Sequence, residues 1–161
     1  GSEMCIRDRS VFVGTNDAER HLGRLLRADD PKTVPDFDFA DWERTYRGLL
    51  DQARQANPAL KIVLCTPFAA PCGKIVEGAL GEYYPLRQRI LAQCCVIVER
   101  IAADYGATLV PFHRLIADLE TRLPNGDATY WVWDGIHPTP AGQRLMADCW
   151  IGAAARNGVM E

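Results

Sequence analysis

Apolar positions along the chain follow two rhythms. Between Phe39 and Ala56 the apolar residues Phe39, Trp42, Tyr46, Leu49, Leu50 and Ala53 recur on one face of a 3.6-residue period, which predicts a helix with a buried stripe. Asp38 or Asp41 suits its amino end, and Asn57-Pro58 stops it. The same period predicts a long helix from Pro85 to Tyr105, with Ile90, Leu91, Cys94, Ile97, Val98, Ile101 and Ala102 inward. Gly106 ends it. A shorter helix follows from Phe112 to Arg122 on Leu115, Ile116 and Leu119, and a last one runs from Pro140 to Ala155 on Leu145, Met146, Cys149 and Trp150. Leu22, Leu25 and Leu26 predict a helix within Ala18 to Asp30, with His21, Arg20, Arg24 and Arg27 on its solvated side. Three short apolar runs have strand length instead: Val11 to Val13, Leu60 to Cys65 and Thr108 to Pro111.

Strands that alternate with helices predict an α/β fold with a parallel sheet. The connecting stretches are polar or rich in Gly and Pro. Pro31 to Asp38 reads as a cleft wall, Ala69 to Tyr84 as a lid or specificity loop, and Pro124 to Asp127 as a turn. The length of 161 residues suits one domain with a sizeable core. Hydrophobic content of 48% and a net charge of −3 are ordinary for a globular protein. The weakly acidic balance argues against a nucleic-acid partner, and no apolar run reaches the length of a membrane span.

Two stretches carry candidate chemistry. In Trp133-Asp134-Gly135-Ile136-His137-Pro138-Thr139-Pro140, a carboxylate precedes a histidine by three residues. An Asp that accepts the proton on one ring nitrogen sets the tautomer and leaves the other nitrogen as a base. Pro138 keeps His137 out of helical geometry, while Thr139 and Pro140 suit the start of a helix. Turn punctuation alone also accounts for these residues. In Val11-Phe12-Val13-Gly14-Thr15-Asn16-Asp17, an apolar strand ends in a glycine turn. Ligands of parallel sheets bind beyond the carboxyl ends of strands, so the Asn16 amide is a candidate oxyanion donor there. An Asx-turn is the plainer alternative.

Together these stretches resemble the SGNH (GDSL-type) hydrolases. Gly14-Thr15-Asn16-Asp17 is similar to the family's Gly-x-Asn-Asp block, and Asp134-Gly135-Ile136-His137-Pro138 to its Asp-x-x-His block. The resemblance runs from Ser10 to about Ala155. It implies a flavodoxin-like three-layer α/β/α fold with strand order 2-1-3-4-5. It also implies catalytic His137 and Asp134, oxyanion donor Asn16, and site-shaping Gly14 and Asp17, with no cofactor and no metal. The implied partner is a small-molecule or carbohydrate ester.

The family's Gly-Asp-Ser nucleophile block and its second oxyanion glycine do not occur upstream of Val11. Gly1 to Arg9, GSEMCIRDR, is similar to a translated sequencing adapter and is set aside as a scar with its Cys5. A genuine polar leader is the alternative. The expectation is an incomplete parallel sheet that lacks its first two strands, on the order of 60 residues at about 30 per strand-helix unit. Residues 10–161 are then the carboxy-terminal part of one domain. Its first remaining strand is an exposed edge, and the chain is expected to be poorly soluble or loosely folded alone.

Ser10 is rejected as a substitute nucleophile. It sits about 13 Å down its strand from the crevice, at about 3.3 Å per residue, whereas proton transfer needs about 3 Å. Ser2 is the only other serine. Cys65, at a strand's carboxyl end, is the alternative nucleophile. The remaining cysteines fall mainly in apolar stripes without Cys-x-x-Cys spacing, which argues against zinc. His113 reads as structural, Pro67 and Phe68 as pocket lining, and Tyr130, Trp131 and Trp133 as an aromatic approach to Asp134. Three functions follow: an ester hydrolase without its serine, a non-catalytic α/β binding or scaffold module, or an acyl transferase.

Overall fold

A computed structural model describes residues 8–122 and 128–159. The proposed turn at 124–127, Cys5 and most of the set-aside leader lie outside the described residues. Three parallel strands form the sheet in chain order: β1 (Asp8–Phe12), β2 (Lys61–Cys65) and β3 (Thr108–Val110). The register aligns Phe12 with Cys65 and Cys65 with Val110, so all three strands end level. β1 begins at Asp8, two residues inside the leader, where Asp8 and Arg9 pair with Lys61 and Ile62.

The strands' period of two sorts the core. Ile62 and Leu64 face α2 (Phe39–Ala56) and α4 (Tyr84–Asp104), where they meet Tyr46, Leu50, Ile97, Val98 and Ile101. Val63, Cys65 and Val110 face the other way. They pack on α5 (Phe112–Arg122) and α6 (Pro140–Arg156) through Phe112, Ile116, Met146, Ala153 and Ala154. The result is the expected three-layer α/β/α arrangement on an incomplete flavodoxin-like sheet. No helix among the described residues is long and apolar enough to cross a membrane.

Local signals set most boundaries. The Asp38 carboxylate caps α2 by accepting from Asp41 N at 2.9 Å. Thr139 caps α6 by accepting from Gly142 N at 3.1 Å, with Pro140 in the first turn. The stretch 69–84 is more ordered than its composition suggests. It holds a 3₁₀ turn at Gly73–Val76 and a short helix, α3 (Gly78–Glu82).

Three expectations need correction. α1 spans Thr15–Arg27, so Asn16 and Asp17 lie in the first turn of a helix rather than ahead of one. His21 is buried, not on the solvated face with Arg20, Arg24 and Arg27. Its ring packs edge-on against Phe37 at 5.8 Å, because the 31–38 loop folds over α1. Leu49 is 53% exposed although its spacing fits the stripe, since Leu50 takes the inward place beside Tyr46.

Cys65, Cys94, Cys95 and Cys149 are free thiols. Burial pushes Cys65 up to about 11 against a weak pull from Ser10, and pushes Cys94 and Cys95 up to about 12. Cys65 therefore stays protonated in the core at neutral pH and is unsuited to act as a nucleophile.

Candidate active site

The level strand ends deliver three loops to one side of the sheet. After β1 the chain turns at Gly14, whose φ of 119° is a conformation that favours glycine. A Cβ there would lie 2.8 Å from Pro67 Cγ and 3.4 Å from Trp42 Cζ2. The absent side chain thus lets the turn sit against the loop after β2. Thr15 Oγ1 donates to Phe68 O at 3.2 Å, and Ala18 N to Gly14 O at 3.0 Å, which starts α1. Asp17 accepts from the Trp42 indole at 3.1 Å and ties α1 to α2. Asn16 is left exposed between these anchored neighbours.

The second element is a tight hairpin closed by Trp133 N donating to His137 O at 2.8 Å and Thr139 N to Trp131 O at 2.9 Å. Inside it, Asp134 Oδ1 accepts from Ile136 N at 3.1 Å and His137 N at 3.0 Å. Asp134 Oδ2 lies 2.9 Å from His137 Nδ1. Burial alone would raise the Asp134 pKa. The backbone and ring hydrogen bonds from His137, with the Ile136 N–H, outweigh it and hold the carboxyl at about 2. An ionised carboxylate at Nδ1 sets the proton on that nitrogen and leaves Nε2 as an acceptor. The imidazole itself is well exposed.

Phe12, Val13, Gly14, Thr15, Asn16 and Asp17 face Ile136, His137 and Pro138 across one cleft of about 360 Å³. The two sequence blocks, 120 residues apart, therefore meet with Asp134 behind His137. The first turn of α1 is part of this wall, so the positive end of the helix lies in the cleft. A cleft holding a carboxylate-backed imidazole, an exposed carboxamide and a helix amino end can move a proton and stabilise a developing anion. A larger cavity of about 850 Å³ lies between α1, the 31–38 loop and α4, and contains neither Asn16 nor His137. Among the described residues no cluster of His, Cys, Asp and Glu converges as a metal site.

Other candidates fall elsewhere. Ser10 Oγ accepts from Trp150 Nε1 at 3.1 Å and touches Cys65 Sγ at 3.7 Å, on the α6 face of the sheet. Its register partner is Val63, two residues short of the strand end. His113 Nδ1 lies 2.8 Å from Thr66 Oγ1 and joins the start of α5 to the loop after β2. Burial, opposed by Glu99 and helped by Arg114, lowers its pKa. Phe68 is core, and Pro67 backs the Gly14 turn. Tyr130 and Trp133 are exposed, and Trp131 is half-buried.

A family model described as the GDSL-like lipase/acylhydrolase family matches residues 10–145. The chain belongs to that family. Solved structures carry the likeness through the fold. A GDSL-like lipase from Parabacteroides merdae, so described, is 26% identical with a TM-score of 0.70, covering 92% of this chain and 60% of its own. The acetylxylan esterase Axe2 from Geobacillus stearothermophilus is 23% identical with a TM-score of 0.66, covering 91% and 58%. The acetyl xylan esterase AlAXEase is 21% identical with a TM-score of 0.64, covering 91% and 66%. The chain thus spans 58% to 66% of the length of these proteins. No curated protein sequence matches it.

Within this GDSL-like domain, spacing alone did not reveal what holds the two blocks together. Gly73, at φ 63°, presses on the hairpin of Asp134 and His137: a Cβ there would lie 2.6 Å from Asp134 Cα. Gly135, at φ 91°, lies beneath Ile75, and its carbonyl accepts from Ala70 N at 2.8 Å. Arg87 fixes Ile75 in turn. The available signal was a charged residue in register with the buried stripe of Ile90, Leu91 and Cys94.

Proposed function

We propose that this chain supplies the base, its orienting carboxylate and one oxyanion donor of a serine esterase. The serine comes from a part of the domain outside these 161 residues. The serine hydroxyl attacks an ester carbonyl, and His137 Nε2 accepts its proton. The tetrahedral oxyanion takes a hydrogen bond from the Asn16 carboxamide. His137 then returns the proton to the leaving alcohol, and water repeats the cycle on the acyl-enzyme. Asp134 holds the tautomer and stabilises the imidazolium. Gly14 and Asp17 shape the turn that presents Asn16.

The observation that carries this reading is the shared cleft of Asn16 and His137, with Asp134 on His137 Nδ1. Family membership and the position beyond the strand ends support it. The substrate class is a carboxylic ester of a small molecule or an acetylated carbohydrate. The likeness to acetylxylan esterases favours the latter. Acyl transfer to an alcohol uses the same steps with a different acceptor.

The test is hydrolysis of short-chain aryl acetates and acetylated xylo-oligosaccharides by the full-length protein. His137→Ala is expected to lower kcat by at least about 10³-fold, and Asn16→Ala by about 10²-fold or more. Undiminished turnover in His137→Ala removes the assignment of the base. A second reading, a non-catalytic binding module, draws on the absence of any serine besides Ser2 and Ser10. Saturable ester binding without turnover in the full-length protein selects it.

A further inference from the structure

The two halves of the proposed site come from opposite ends of the chain, and one side chain joins their supports. Arg87, in the first turn of α4, is fully buried. Its Nε and one terminal nitrogen meet both carboxylate oxygens of Glu19, the second pair at 3.1 Å. Its other terminal nitrogen donates to Ile75 O at 3.2 Å. Glu19 lies on α1 one turn beyond Asn16. Ile75 lies over Gly135, in the hairpin that holds Asp134 and His137. Neighbouring Gln88 holds the same segment by donating to Ala69 O at 2.9 Å.

We propose that Arg87 is a positioning residue that sets the placement of Asn16 relative to His137. The inference rests on the esterase reading for its catalytic meaning and on geometry alone for the link. The guanidinium fork is the chemistry required. Two parallel bonds to one carboxylate fix direction as well as distance, and a third donor reaches the carbonyl. Lysine retains the charge but not the fork. Ile75 and Ile136 also share one apolar cluster with Ala18 of α1, so a shift of the 73–76 segment moves both walls of the cleft. A misplacement of about 1 Å at a reacting centre can cost about 10²-fold in rate.

The test separates placement from folding. Arg87→Met leaves the half-buried Glu19 carboxylate without its partner, and a loss of stability is expected. The double variant Arg87→Met with Glu19→Gln removes both charges and recovers most of the melting temperature. In the full-length protein, the double variant is expected to keep KM within about 2-fold and to lose kcat by about 10- to 100-fold. Arg87→Lys is expected to fall between this variant and wild type. If kcat returns with stability in the double variant, Arg87 only holds the fold and the proposal is overturned.

A second measurement does not depend on turnover. In the full-length protein, ¹⁵N NMR follows the Asn16 carboxamide and the His137 ring. Both resonances are expected to shift in the double variant; Asn16 lies one turn from Glu19, whereas His137 hydrogen-bonds to neither substituted residue, so its shift is the one that reports the link. A folded variant with the His137 ring resonance unmoved overturns the link, whatever the fate of the esterase reading. Shifted resonances in a full-length protein that never turns over esters uphold the link and fault that reading instead.

Discussion

At His137 the decisive partner is three residues away in sequence and 2.9 Å away in space. That pair makes a specific demand on pH. The Asp134 carboxyl has a folded pKa near 2 against an ordinary 3.8, so it is depressed. Its stabilising contribution is fully present above about pH 4 and is lost as pH falls towards 2. Asp134→Asn is therefore expected to melt below wild type at pH 6, with the gap closing by pH 2. A gap that does not narrow with acid removes the ionised carboxylate as its source. In the active protein the same variant is expected to lower kcat by about 10⁴-fold, because the amide favours the wrong tautomer.

Among the elements, α6 depends most visibly on one cap. Thr139 Oγ1 accepts from Gly142 N at 3.1 Å and donates to Tyr130 O at 2.7 Å, so it joins the helix to the hairpin that carries His137. Thr139→Ala is expected to cost about 1 kcal/mol by chemical denaturation, and Thr139→Ser to recover most of it. Equal stability of the alanine variant refutes the cap's role. Elements of this kind were legible in the sequence. Phe39–Ala56 and Phe112–Arg122 match their expected bounds because stripe and terminal signals agree within a few residues. The candidate site was legible as two short blocks, since Gly14 and the Asp134–His137 turn act locally. What spacing could not show was set by distant packing. Leu49 and Leu50 compete for one inward place, and tertiary contact chose Leu50. His21 is covered by a loop that folds back from a later part of the chain. Spacing gave Arg87 no role, because its partners Glu19 and Ile75 lie 68 and 12 residues away.

For the molecule as a whole, the sheet is covered on both faces but not along β1. Among the described residues that strand pairs only with β2, and its residues are exposed apart from half-buried Val11. Phe12 is 45% and Val13 38% exposed beside it. An unpaired edge with apolar neighbours is a template for another strand. The 161-residue chain is expected to self-associate with increasing concentration in sedimentation equilibrium, and Phe12→Lys to shift it towards monomer. A sharply melting monomer at high concentration would count against an open edge. The charged Asp8 and Arg9 at its start are the residues there that oppose such pairing.

The buried thiols give this architecture a built-in clock. Cys94 and Cys95 sit on the buried side of α4 and Cys65 in the central strand, all held far above neutrality. Only a thiolate is alkylated, so iodoacetamide consumes these sulfurs at the pace at which the layers part. Each labelled cysteine then timestamps the opening of its own layer, helix or strand.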